Sequence, residues 1–140
     1  MEQRDLLKDQ IEQMGKVLRK ILAGFLGLKS EGRTSEGIEV TNQRLQNELD
    51  LDIEKMATRT PEELRADVVK RQLTAGHLED ISAYLVELGM EVLKADQEKA
   101  KVWFGKAIEL LDISDEITQT MSFDRFSRRN AIKDLLQPDH

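Results

Sequence analysis

At 140 residues the chain has the usual size of one domain, and with 39% hydrophobic and 34% charged residues it can build a core without a metal or a disulfide. It has no cysteine, which excludes disulfides, thiolate nucleophiles and zinc–thiolate sites. Its net charge of −6 argues against generic affinity for nucleic acid, so no nucleic-acid partner is expected.

The charge is uneven. Residues 1–30 carry a net +2, residues 31–121 a net −9 and residues 122–137 a net +2. Basic ends on an acidic body suit head-to-tail self-association. They equally suit solvated helix faces that differ by chance. The opening Met1-Glu2-Gln3-Arg4-Asp5 lacks the basic start and apolar run of a secretory signal. The longest near-apolar stretch, Ile21 to Leu28, is too short to cross a bilayer. A cytoplasmic location is the expectation.

The first predicted element is an amphipathic helix over Gln3–Leu28, making residues 1–29 the N-terminal segment. Advancing ~100° per residue, Leu7, Ile11, Met14, Leu18, Ile21, Leu22 and Phe25 fall within one arc. Asp9, Glu12, Lys16, Arg19 and Lys20 occupy the opposite face. At ~1.5 Å per residue the helix is about 40 Å long, which is long for a small domain. The seven aligned apolar residues are too many to leave in water. They are the candidate interaction face, to be covered by the domain itself, a second chain or a membrane surface. Gly24, Gly27 and Lys29 do not make a phosphate loop: the lysine does not follow a glycine at the required spacing, and a helix precedes instead of a strand.

Lys29 to Glu36 reads as a loop, with Ser35 as cap of a second helix that places Ile38, Leu45 and Leu49 on one face. The stretch Asp50 to Glu54 is ambiguous between helix end and loop. Asp50, Asp52 and Glu54 alternate like the start of a calcium loop, but Lys55 stands where its glycine belongs and Pro61 where its last glutamate belongs. No metal is expected there.

Thr60-Pro61-Glu62-Glu63 is a helix start, with cap, proline at the first helical position and acids. This third helix should reach Leu73 and break at Thr74-Ala75-Gly76. A fourth spans His77–Lys94, with Leu78, Ile81, Leu85, Leu88 and Val92 on one face. Asp96 caps a fifth, running to Leu111, where Ala100, Trp103, Phe104, Ala107, Leu110 and Leu111 align. Ser114 opens a short sixth, and Ser122 caps a last one over Phe123–Leu136. In that last segment Phe123 and Phe126 do not line up with Ile132 and Leu135. No segment alternates with period two. The expectation is a single all-α domain over residues 1–140, a helical bundle or array.

Residues 77–112 resemble a tetratricopeptide repeat (TPR), carried by Leu88-Gly89 in its first helix and Ala100, Phe104 and Ala107 in its second. Small residues let two antiparallel helices approach, and the aromatic fills the groove beside them. The spacing from Gly89 to Ala100 is one residue shorter than in the repeat, and Asp112 stands where a proline is usual. No second full copy is visible. The resemblance implies one TPR-like antiparallel hairpin. The whole chain also resembles an uncharacterised family of short bacterial all-helical proteins. The shared features are the opening amphipathic helix ending in Leu26-Gly27-Leu28, the Leu49-Asp50-Leu51-Asp52-Ile53 stretch and the Thr60-Pro61-Glu62-Glu63-Leu64 helix start. That resemblance implies no activity.

Residues that carry chemistry are few. His77, near Glu79 and Asp80, reads as a solvated helix-end histidine in preference to a general base or metal ligand, since no second histidine is near. The other histidine is His140. No serine lies in a Gly-x-Ser-x-Gly turn. Arg125, Arg128, Arg129 and Lys133 flank Phe123 and Phe126, a mixture that can contact phosphate, but a solvated face is favoured. Trp103 and Tyr84 read as core aromatics. The chain is therefore expected to be no enzyme and to hold no cofactor. It is expected to act as a protein-interaction or structural module, with a protein partner or a homo-oligomer. The alternative is a peripheral membrane protein using the N-terminal helix.

Overall fold

A computed structural model describes the backbone of residues 2–137 and the side chains of residues 8–137. Within those bounds the protein is all α, 82% helix with no strand, as the absence of period-two alternation requires. The helices are α1 (Glu2–Ser30), α2 (Thr34–Leu49), α3 (Ile53–Met56), α4 (Pro61–Arg71), α5 (Ala75–Val92), α6 (Gln97–Thr118) and α7 (Phe123–Leu135).

Two antiparallel hairpins form the frame. α1 and α2 make the first; α5 and α6, the most extensively packed pair, make the second. They stack where α5 meets α1 and α2, and α7 lies on α6. The shared core takes Leu18, Ile21 and Phe25 from α1, Leu45 from α2, Leu64 and Val68 from α4, and the apolar faces of α5 and α6.

The turn between α1 and α2 is tighter than the sequence suggests. Gly32 adopts a left-handed φ of 77°, Arg33 N–H reaches back to the Leu28 carbonyl at 2.9 Å, and Gly32 N–H to that of Lys29 at 2.9 Å. This glycine-closed C-terminus reverses the chain in three residues. α2 then begins at Thr34, its N-cap position is Arg33, and the expected Ser35 cap is not used. The ambiguous stretch after α2 resolves into two caps. Asp50 ends α2 in the left-handed conformation, and Asp52 opens the single turn of α3 by accepting from Lys55 N–H at 3.0 Å. The alternating acids are thus helix punctuation.

Capping boxes open α4 and α5. Thr60 and Glu63 cap each other's backbones in the first. In the second, Thr74 accepts from His77 N–H at 3.2 Å while His77 Nδ1 accepts from Thr74 N–H at 3.1 Å. Of the expected break at Thr74 to Gly76 only Thr74 lies outside the helix, as its cap; α5 begins at Ala75, two residues before the expected start at His77. α4 is tied to α6 by a two-bonded Arg65–Glu116 pair at 2.7 and 2.8 Å. The Lys106 ammonium, buried on α6, donates to the Arg59 carbonyl before α4 and to Glu109.

α5 and α6 approach closely because Ala100, Ala107 and Gly89 are small, with Trp103 and Phe104 filling the space beside them. The buried Ser82 hydroxyl donates across the pair to the Ala107 carbonyl at 2.8 Å. The expected end of the fifth helix at Leu111, with a new start at Ser114, is corrected by the structure. α6 continues unbroken to Thr118. Ser114 is fully buried, and its hydroxyl donates back to the Leu110 carbonyl at 3.1 Å instead of capping a new helix.

Candidate interaction surface

α1 has 29 residues and its hairpin partner α2 has 16, so the N-terminal part of α1 extends past the end of α2. The seven stripe residues divide accordingly. Leu18, Ile21 and Phe25 are in the core, where no partner can reach them without unfolding the domain. Leu22, Met14 and Ile11 are half-buried, and the Leu7 side chain lies outside the described residues. Lys8, Asp9, Gln10, Glu12 and Gln13 are exposed. Ile11, Met14 and Leu22 are thus the described stripe residues that keep part of their surface in solvent.

Two clefts flank that root. One, of about 760 Å³, opens between α1, the end of α2, α3 and α4; Met14, Leu49 and Met56 supply its apolar wall and Lys55, Arg59, Lys70 and Arg71 its cations. Asp50, Asp52 and Asp67 balance them. Two of the cations are already engaged. Arg59 forms two bonds to Asp67 at 2.8 and 3.0 Å, and Arg71 donates to the backbone carbonyls of Leu49 and Asp50. The other cleft, of about 370 Å³, lies between α1 and the start of α5, with Ile11, Gly15 and Arg19 on one side and Thr74, Gly76 and His77 on the other.

His77 is not the solvated helix-end residue that its acidic neighbours suggest. It is 4% exposed and packed against α1, close enough that a methyl at Gly15 would sit 3.2 Å from Nε2. Burial pushes its imidazole below the ordinary value, opposed by a hydrogen bond to the Ile11 backbone and by the Asp80 charge. Asp80 beside it is raised by burial, with Arg19 acting in the other direction.

The C-terminal bases divide too. Arg125 and Arg129 are buried, and with Ile132 they form the inner face of α7. Arg125 donates to Asp115 at 2.6 Å and to Glu79 at 3.0 Å; Arg129 donates to Asp112 at 2.8 Å and to Asp115 at 2.6 Å. Burial alone would raise the Asp115 carboxyl, but the bonds from Arg125 and Arg129 hold it below the usual carboxylate range. Arg128 donates to the Glu79 carbonyl at 2.7 Å. Instead of a solvated face, these arginines are the fastening of α7. A search for apolar periodicity misses them; the legible signal is Arg125 and Arg129 about one turn apart, facing Asp112 and Asp115, also about one turn apart. Phe123 and Phe126 point outward, the former 86% exposed.

Trp103 and Tyr84 are core residues. The Tyr84 ring meets Phe25 edge-on at 5.2 Å and its hydroxyl donates to Asn42 at 2.7 Å, joining the two hairpins. Burial raises the Tyr84 hydroxyl well above its ordinary value.

No family model, no curated protein and no solved structure matches the chain. Among the described residues no helix is long and apolar enough to cross a membrane.

Proposed function

We propose that the protein is a non-enzymatic interaction module that binds along the N-terminal part of α1, with a second copy of itself as the first partner to test. The observation that carries this reading is the position of Ile11 and Met14. They are half-buried, each on the wall of an open cleft, with Met14 also packed against the edge of the core. An amphipathic helix laid against a groove is a standard mode of helix recognition, and the cleft beside Met14 offers apolar wall with charges at its rim. Four buried polar side chains, His77, Lys106, Arg125 and Arg129, are each occupied in joining elements, which favours a structural over a chemical role for them. The TPR-like reading of α5 and α6, and membership of a family of short bacterial helical proteins, belong to the same proposal. The competing reading, an interfacial membrane helix, needs the whole stripe, of which Leu18, Ile21 and Phe25 are taken up by the core.

Sedimentation equilibrium at micromolar concentration tests the proposal. The expected result is a dimer for the wild type and a monomer of unchanged circular dichroism for the Ile11→Ser, Met14→Ser double variant. A wild type that sediments as a monomer and floats with anionic liposomes would transfer the surface to the membrane reading.

A further inference from the structure

His77 occupies the third position of α5, where its ring does two things at once. Nδ1 accepts the Thr74 N–H at 3.1 Å, completing the cap of α5. Nε2 faces α1, where the adjoining backbone is Gly15 and Ile11. Glycine at position 15 is what admits the ring, since a methyl there would stand 3.2 Å from Nε2 and 3.5 Å from Cδ2. One imidazole therefore joins the start of α5 to the point where α1 leaves the body of the domain.

The Thr74 contact requires the neutral ring, whereas the contact to the Ile11 backbone favours the charged one. A second proton would occupy Nδ1 and turn a donor toward the Thr74 donor, removing the cap. It would also place a cation at a helix N-terminus, where the backbone dipoles already present positive charge. Arg19 of α1 and Asp80 of α5 are the charges that act on the ring, Glu12 and Lys16 of α1 line the same cleft, and Glu79 acts on Asp80. Arg19 disfavours the imidazolium and Asp80 favours it, while Arg128 of α7 acts on Asp80. Burial is the largest influence and disfavours the charged ring.

We propose that His77 is a pH-sensitive latch that seats the N-terminal part of α1 on the start of α5 at neutral pH and releases it on acidification. The direction follows from linkage. The released state binds a proton at the ordinary histidine value near 6.5, and the latched state only at a lower pH. The latch is therefore fully closed above that value and weakens as pH falls below it, by at most about tenfold per pH unit for one proton. This holds whatever binds to α1, so it stands or falls separately from self-association.

The test is NMR on the full chain, with imidazole titration and amide-exchange protection factors measured from pH 7.5 to 5.0. The expected result is that His77 titrates below the ordinary histidine value, and that protection of residues 11–18 and 77–80 falls severalfold with acidification while that of α6 does not. In His77→Gln the amide oxygen can still accept from Thr74 N–H, as glutamine does in capping boxes, but it cannot titrate. That variant should keep its protection across the range. If His77 titrates at the ordinary value, if wild-type protection is flat, or if His77→Gln loses protection as the wild type does, the latch is overturned.

Discussion

Gly89 of α5 and Phe104 of α6 share a space that holds only one of them with a side chain. A methyl built on Gly89 would lie 2.7 Å from the ring's Cδ1 and 2.9 Å from its Cζ, and Phe104 is fully buried with no room to retreat. Gly89→Ala should therefore destabilise the protein by about 1–3 kcal/mol, the usual cost of overpacking. Adding Phe104→Leu should recover part of the loss, so the two changes should be less than additive in urea denaturation. A neutral Gly89→Ala would show that the helices can separate freely at that point.

The Arg125–Asp115–Arg129 cluster fastens α7 to α6. Removing the shared acceptor in Asp115→Ala leaves two arginines, both largely buried, short of a partner. The expected cost is about 3 kcal/mol, measured by thermal or urea unfolding. The pH dependence has a definite sign. Because the folded Asp115 carboxyl titrates below its ordinary value, its contribution is complete above the usual carboxylate range and is lost as pH falls through the folded value. Asp115→Ala should therefore flatten the acid limb of the stability curve as well as lower it.

Gln119 ends α6 with a left-handed φ of 55° in an exposed turn. A side chain in that conformation costs roughly 1 kcal/mol, which glycine avoids. Part of the gain is offset by the greater freedom of glycine in the unfolded chain. Gln119→Gly should raise stability by about 0.5 kcal/mol, visible as a higher denaturation midpoint at unchanged slope. A loss of stability would mean that the Gln119 side chain holds the turn by some other means.

Which parts of this fold can be read from residues alone follows from what each element depends on. The antiparallel pair α5 and α6 was legible because its apolar faces repeat at helical period and its caps, Asp96 above all, act on neighbouring backbone. The Thr60 to Glu63 start was legible for the same reason. α1 was legible as a helix from its stripe, yet the stripe alone does not say where its cover ends. That was decided by the length of α2, which places Leu18, Ile21 and Phe25 in the core and leaves Ile11 and Met14 half in water. The continuation of α6 through Ser114 and the inner face of α7 were likewise tertiary decisions. Ser114 and Arg125 are polar residues, and nothing local distinguishes a solvated arginine from one whose carboxylate partners arrive on another helix. His77 is the sharpest case. Its neighbours Glu79 and Asp80 suggest a wet helix end, whereas α1, distant in sequence, covers it and makes its protonation matter. Local periodicity and capping chemistry act over a few residues, so the sequence by itself determined the long helices and the starts marked by Thr60, Asp96 and Ser122. Burial depends on what packs from elsewhere in the chain, so only the tertiary structure decided which faces are hidden and which remain in solvent.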